Sequence, residues 1–208
     1  MFDCDGLLLD TEECWTRGEE ALFAAYGQAF EPEHKRRLLG ASGEASGRIL
    51  VSVLDQPGRE REELARELLD FCWGEVVEGA APRPGAVELV EELRGTVPIG
   101  IASNSPRALV EAALDAAGLD GPFDVILGVD DVRRPKPDAE IYLAACERLG
   151  GTPSRSIALE DSPTGVAAAR AAGLYVIGVP SYPGVELDAD EVTGSLADPA
   201  VRKAISAG

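Results

Sequence analysis

The chain has 208 residues, a formal net charge of −18 and a hydrophobic fraction of 45% in which aromatics supply only 5%. That length suits one large domain or a core carrying a smaller insertion, and the surplus of alanine over aromatic residues favours packed helices over a β-sandwich. So acidic a chain excludes nucleic-acid and anionic-membrane partners, which need a positive face, and any anionic substrate would have to be met by a local cation.

The first element is Phe2-Asp3-Cys4-Asp5-Gly6. Read as a strand end, its period of two turns Asp3 and Asp5 to one side and Cys4 to the other, and Gly6 permits a sharp turn beyond them. Two carboxylates so placed can divide labour, one attacking or holding a metal while the other, its pKa raised by its neighbour, moves a proton. A solvated strand end with two surface acids fits these residues equally well. Only Met1 and Phe2 precede Asp3, whereas strands usually run about five or six residues, so further residues upstream of Met1 are expected.

From Thr11 to about Gly79 the pattern is helical. Trp15, Ala21, Leu22, Ala25 and Tyr26 mark one face, and Leu64, Leu68, Phe71 and Cys72 another. The loop of small residues Gly40 to Gly47 separates the halves and allows close approach of a ligand or an ordinary turn. His34 is the sole histidine and lies in the run Glu33-His34-Lys35-Arg36-Arg37, which excludes Ser-His-Asp and Cys-His catalysis and leaves acid-base work to carboxylates. Lys35 is read as a solvated charge. Cysteines at 4, 14, 72 and 146 show neither zinc-ligand spacing nor a disulfide framework, and buried thiols in a reducing compartment are expected. Without a signal peptide, membrane span or lipidation motif, the expected location is the cytoplasm.

At Ala80 to Gly85 the texture changes to alternating strand and helix. Val87, Leu89, Val90 and Leu93 predict a helix; Val97 to Ala102 predicts a buried strand ending at Ser103-Asn104. Ser105 then caps a helix with Pro106 at its first position and Gly118 as its stop. A strand at Phe123–Leu127 leads to Lys136 and a helix through Ile141, Tyr142, Ala145 and Leu149. A strand at Ser156–Leu159 runs into Glu160-Asp161, Ser162 caps the helix that stops at Gly173, and a last strand covers Tyr175–Val179. Such alternation predicts right-handed crossovers, a parallel sheet, and a site beyond the strands' carboxyl ends. Asp3, Asp5, Ser103, Asn104, Lys136, Glu160 and Asp161 should meet at that rim.

Phe2-Asp3-Cys4-Asp5-Gly6, Ile101-Ala102-Ser103-Asn104, Pro135-Lys136-Pro137-Asp138 and Leu159-Glu160-Asp161-Ser162-Pro163-Thr164-Gly165 resemble, in order, the four motifs of the haloacid dehalogenase superfamily. The resemblance implies an α/β fold: a discontinuous Rossmann-like parallel-sheet core of residues 1–10 and 81–208, with an all-helical cap inserted at 11–80. It further implies phosphoryl transfer, with Asp3 as nucleophile and Asp5 as the proton shuttle. Mg²⁺ would be held by Asp3, the Asp5 backbone carbonyl, Glu160 and Asp161, and the phosphate by Gly6, Ser103, Asn104 and Lys136. Mg²⁺ and Lys136 would cancel much of the repulsion between carboxylate and phosphate, about 4 kcal/mol per unit pair at about 4 Å and an effective dielectric of about 20.

The overall look is similar to the beta-phosphoglucomutase-like branch. That branch's mutases carry histidine where Trp15 stands and arginine where Gly43 stands, so a phosphatase of small phosphorylated metabolites, such as sugar phosphates, is the expectation, with a mutase as the alternative. A phosphorylated signalling module is a further alternative, although receiver domains lack the helical insertion. Trp15 is expected to pack, Glu12 and Ser42 are candidate cap contacts, and a compact monomer is the expected state.

Overall fold

The computed structural model describes residues 1–121 and 123–207. Four helices, α1 (Glu12–Ala25), α2 (Pro32–Leu38), α3 (Gly43–Val53) and α4 (Arg61–Gly79), lie between two short strands, β1 (Leu9–Asp10) and β2 (Ala81–Pro82), which pair antiparallel. Beyond them come α5 (Ala86–Leu93), β3 (Gly100–Ala102), α6 (Arg107–Ala116), β4 (Val125–Leu127), α7 (Glu140–Arg148), β5 (Ile157–Glu160), α8 (Pro163–Ala171), β6 (Tyr175–Gly178), β7 (Glu191–Val192) and α9 (Pro199–Ala207). No helix among the described residues is long and apolar enough to cross a membrane.

The short start is the middle of the sheet. Phe2 bridges Ile101 on one side and Leu159 on the other, both in parallel. Its N–H donates to the Gly100 carbonyl at 2.9 Å, its carbonyl accepts from Ala102 N–H at 2.9 Å, and Asp3 N–H reaches the Leu159 carbonyl at 3.0 Å. The order is therefore β4, β3, Phe2, β5, β6, β7, parallel throughout. Residues such as Ile101, Ala158, Leu159, Val176 and Ile177 are almost fully buried, as strands covered on both faces require.

Local readings failed where the inward stripe is not apolar. In α1 the buried positions are Cys14, Gly18, Glu19, Leu22 and Phe23, whereas Ala21 and Ala25 are exposed. Gly18 is needed there because α1 and α4 cross so closely that a Cβ would strike the Cys72 side chain and backbone. Phe71 is 37% exposed, at the edge of the α4 stripe of Leu64, Leu68, Cys72 and Val76. Val87 falls off the α5 stripe of Ala86, Leu89 and Val90, and Val97 is exposed because Thr96 and Val97 fold back onto the Leu93 carbonyl, so sheet pairing begins only at Gly100. β7, at the sheet edge, and α9, which adds Val201 to the core, were not anticipated.

Helix caps divide in the same way. Ser162 caps α8 as its spacing predicts, its Oγ accepting from Gly165 N–H at 3.1 Å. Ser105 does not cap α6: Pro106 takes the cap position itself, and Asp130 Oδ1 accepts from Arg107 N–H at 2.8 Å. All four cysteines are free and buried.

Candidate active site

The carboxyl ends of the Phe2 segment and β5, with the loop before α7, deliver four buried charges to one point, Asp3, Lys136, Glu160 and Asp161. Lys136 Nζ lies 2.7 Å from Asp3 Oδ1 and 2.6 Å from Glu160 Oε1, and Tyr142 donates its hydroxyl to the same Glu160 oxygen. Burial pushes the Asp3 carboxyl up to about 7 although Lys136 pulls it down. Burial also holds the Asp161 carboxyl well above its usual range, with Asp3 and Glu160 adding to the rise. For Lys136 burial opposes the charge, but two adjoining carboxylates outweigh it and hold the ammonium above its ordinary pKa.

One lysine does not balance this group. Asp3, Glu160 and Asp161 each offer an oxygen, all within 4.8 Å of one another, and Glu160 Oε2 is buried without a hydrogen-bond partner among the described residues. Buried anions in excess of their cations are costly. An all-oxygen carboxylate set with spare lone pairs suits a hard divalent cation, so these residues fit such a metal ion.

Asp5 is held apart from that trio. After Asp3 the chain leaves the sheet in a tight turn whose Cys4 carbonyl accepts from Leu7, Leu8 and Leu9. Gly6 makes the turn with φ of 76°, a left-handed conformation that favours glycine. The turn packs Gly6 against Asp161 and Ser181, where a Cβ would collide, and Gly6 is not among the residues lining the cavity described below. The Asp5 carboxylate accepts from Thr11 Oγ1 at 2.9 Å, Trp15 Nε1 at 2.9 Å and Ser105 Oγ at 2.6 Å. Trp15 is therefore more than packing, and Ser105 spends its hydroxyl on Asp5.

Asn104 works through its side chain on Lys136. Its Oδ1 accepts from Lys136 N–H at 2.9 Å and its Nδ2 donates to the Lys136 carbonyl at 3.2 Å and to the Gly40 carbonyl at 3.1 Å. What Asn104 can offer an oxyanion is its main-chain N–H. Ser103 is buried, and its Oγ accepts from Ser105 N–H at 3.0 Å, which leaves the hydroxyl proton to donate. Ser181 Oγ donates to Asp161 Oδ2 at 2.5 Å. Tyr142 and Ser181 were missed in the sequence, where a tyrosine on an apolar helix face and a loop serine carry no signal.

These groups floor a cavity of about 140 Å³ between the sheet edge and the four-helix insertion, lined by Asp3, Asp5, Ser103, Asn104, Lys136 and Asp161 on one side and by Trp15, Glu12, Glu19, Lys35 and Leu68 on the other. Lys35 overturns its reading as a solvated charge: it is 4% exposed, with Nζ 3.1 Å from both Glu12 Oε2 and Glu19 Oε2. Its position in a run of charges was misleading because α2 turns that one residue inward onto α1, while Arg36 and Arg37 stay outside. Ser42 caps α3 rather than lining the cavity, its Oγ accepting from Ala45 N–H at 3.5 Å. His34 caps α2 through Nδ1, which accepts from Glu31 N–H.

Burial pushes the Glu19 carboxyl up to about 7 against the pull of Lys35. A carboxyl raised on folding binds more protons in the native state than in the unfolded one, so its contribution to stability falls as pH rises from its ordinary value near 4.5 to about 7. Relative to Glu19→Gln, native protein should lose up to about 3 kcal/mol between acid and mildly alkaline pH. Urea denaturation of both proteins at pH 5 and pH 8 measures it; parallel stabilities at both pH values would contradict it.

Residues 1–173 match the family model for haloacid dehalogenase-like hydrolases. The chain is 33% identical over 184 residues to validoxylamine A 7'-phosphate phosphatase of Streptomyces hygroscopicus subsp. limoneus, covering 86% of this chain and 84% of that protein. It is 29% identical over 181 residues to the fructose-1-phosphate phosphatase YqaB of Escherichia coli K12, covering 86% and 94%. Among solved structures it resembles CbbY of Rhodobacter sphaeroides in complex with phosphate, with a TM-score of 0.81, 30% identity and coverage of 95% and 93%. Sequence motifs, sheet order and the buried carboxylate–lysine group thus converge, and the chain belongs to the haloacid dehalogenase-like hydrolases.

Proposed function

We infer that this hydrolase is a Mg²⁺-dependent phosphatase that cleaves small phosphate monoesters, sugar phosphates foremost, through an aspartyl-phosphate on Asp3. The observation that carries the reading is the buried Lys136 bridging Asp3 and Glu160 at the floor of the cavity. Asp3, Asp161, Glu160 and the Asp5 backbone carbonyl would hold Mg²⁺, which supplies charge to offset that of the phosphate and prefers such oxygen ligands. Asp3 attacks phosphorus, the ester P–O bond breaks, and Asp5 protonates the departing oxygen. Asp5 then takes a proton from the water that hydrolyses the acyl phosphate, which frees Asp3 and inorganic phosphate. Ser103 Oγ, the Asn104 main-chain N–H and Lys136 Nζ orient the non-bridging oxygens.

Residues 11–80 act in this reading as a cap on a core of 1–10 and 81–208, with the β1 and β2 linkers as hinges that close to exclude water. The relatives named for validoxylamine A 7'-phosphate and fructose-1-phosphate favour hydroxylated monoesters. Trp15 and Gly43 both line the cavity, where a mutase of the similar branch would carry histidine and arginine, and this favours hydrolysis over phosphoryl return. With Mg²⁺ and a panel of sugar phosphates, inorganic phosphate should be released and chelation should stop it. Conversion of a β-hexose 1-phosphate to its 6-phosphate without phosphate release would replace the phosphatase with a mutase.

A further inference from the structure

The four-helix insertion places three ionisable side chains against the cavity, and the chemistry described so far uses none of them. Lys35 is the only lysine between residues 11 and 80. It is held by Glu19 Oε2 and Glu12 Oε2 at 3.1 Å each and by the Glu12 carbonyl at 3.3 Å. All three residues line the cavity that Asp3 and Lys136 floor.

The charge of this wall decides what it can accept. A single cation neutralised by two carboxylates has no attraction left for a second anion. No arginine is among the described residues lining the cavity; Arg17, Arg48 and Arg59 pair with Glu75, Glu44 and Glu63 away from it. Accepting capacity, by contrast, is available. Glu12 Oε2 is buried near Lys35 but makes no hydrogen bond of proper geometry among the described residues, and a carboxylate has about four lone-pair sites. The remaining wall is apolar, with Trp15, Leu38 and Leu68, apart from Ser46.

We propose that the Lys35–Glu12–Glu19 cluster is the leaving-group recognition site, selecting monophosphates whose alcohol portion presents hydroxyl or ammonium donors and rejecting bisphosphates. The proposal rests on the phosphatase reading. Glu12 and Glu19 accept from the donors, while Lys35 keeps both carboxylates at the wall. A distal phosphate would be buried against carboxylates whose one cation, Lys35, is already engaged, and like-charge juxtaposition is a strong discriminator.

The test compares kcat/KM for glucitol 6-phosphate, glucosamine 6-phosphate, glucose 1,6-bisphosphate and the donor-free p-nitrophenyl phosphate, all with Mg²⁺. Native enzyme should favour the two hydroxylated monophosphates over the bisphosphate by about 100-fold. In Glu12→Gln and Glu19→Gln the ratio of glucitol 6-phosphate to p-nitrophenyl phosphate should fall about tenfold, and the bisphosphate should gain relative to the monophosphates. Equal use of bisphosphate and monophosphates by native enzyme overturns the proposal without recourse to any variant. Unchanged ratios in active variants overturn it too and leave the cluster a structural one. Absence of phosphate release from every ester by native enzyme would overturn the phosphatase reading, and the proposal with it.

Discussion

Asp3→Asn is expected to lower phosphate release by on the order of 10⁴-fold or more, the scale seen when an attacking group that works in concert with others is removed. Asparagine keeps the shape of aspartate, so the Phe2 pairing with β3 and β5 that presents residue 3 is untouched. It lacks the anionic oxygen that forms the bond to phosphorus in the proposed mechanism. Its effect on folding should be far smaller than its effect on rate: the pair with Lys136 at 2.7 Å weakens to a hydrogen bond, and one negative charge leaves an overcharged carboxylate group, so the two changes oppose each other. Phosphate release and thermal melting measured on one preparation separate the two. A variant within about tenfold of native rate would remove Asp3 from the nucleophile's role.

Lys136→Met is expected to do the reverse, damaging the fold as much as the activity. Lys136 is 4% exposed and bridges two carboxylates on separate segments, Asp3 and Glu160. Removing it leaves both buried without their cation, at a cost of about 3–5 kcal/mol for a broken buried pair. The Asp3 pKa, already raised to about 7 by burial, would rise further because Lys136 is the influence pulling it down. A protonated Asp3 is also a poor nucleophile, and loss of the ammonium that orients the transferring group in the proposed mechanism should lower kcat by about 10²–10³-fold. Urea denaturation with and without Mg²⁺ tests the argument. The variant should be strongly destabilised without metal and recover part of the loss with it, since a cation bound by the native state alone stabilises that state. Metal-free stability equal to the native protein's would show that the lysine does not balance the carboxylates.

Most of the rim was legible as chemistry because each residue sits where a regular element stops. Glu160 closes an otherwise apolar strand and Asp161 follows it before a Ser-Pro pair, and Ser103-Asn104 lies between Gly100–Ala102 and another Ser-Pro pair. Lys35 and Ser105 were misread for the opposite reason. Each had a satisfying local explanation, a solvated charge run and a helix cap, and each finds its partners far along the chain. Lys35 meets Glu19, 16 residues back, and Ser105 meets Asp5 across 100 residues. Glu19 escaped notice because a glutamate on a helix is ordinarily solvent-facing, and only the close crossing of α1 on α4 with α2 above it makes its position interior.

What the sequence by itself determined is the alternation of strands and helices, the helical insertion, and the residue types at the carboxyl rim, because periodicity, capping residues and motif spacing are local properties of the chain. The tertiary structure alone decided that Phe2 lies between β3 and β5, whose backbones supply its hydrogen bonds on both sides. It also decided which charges are buried, which carboxylates are raised and which hydroxyls hold Asp5. Burial and long-range contact set those energies, and neither is a function of neighbours in sequence.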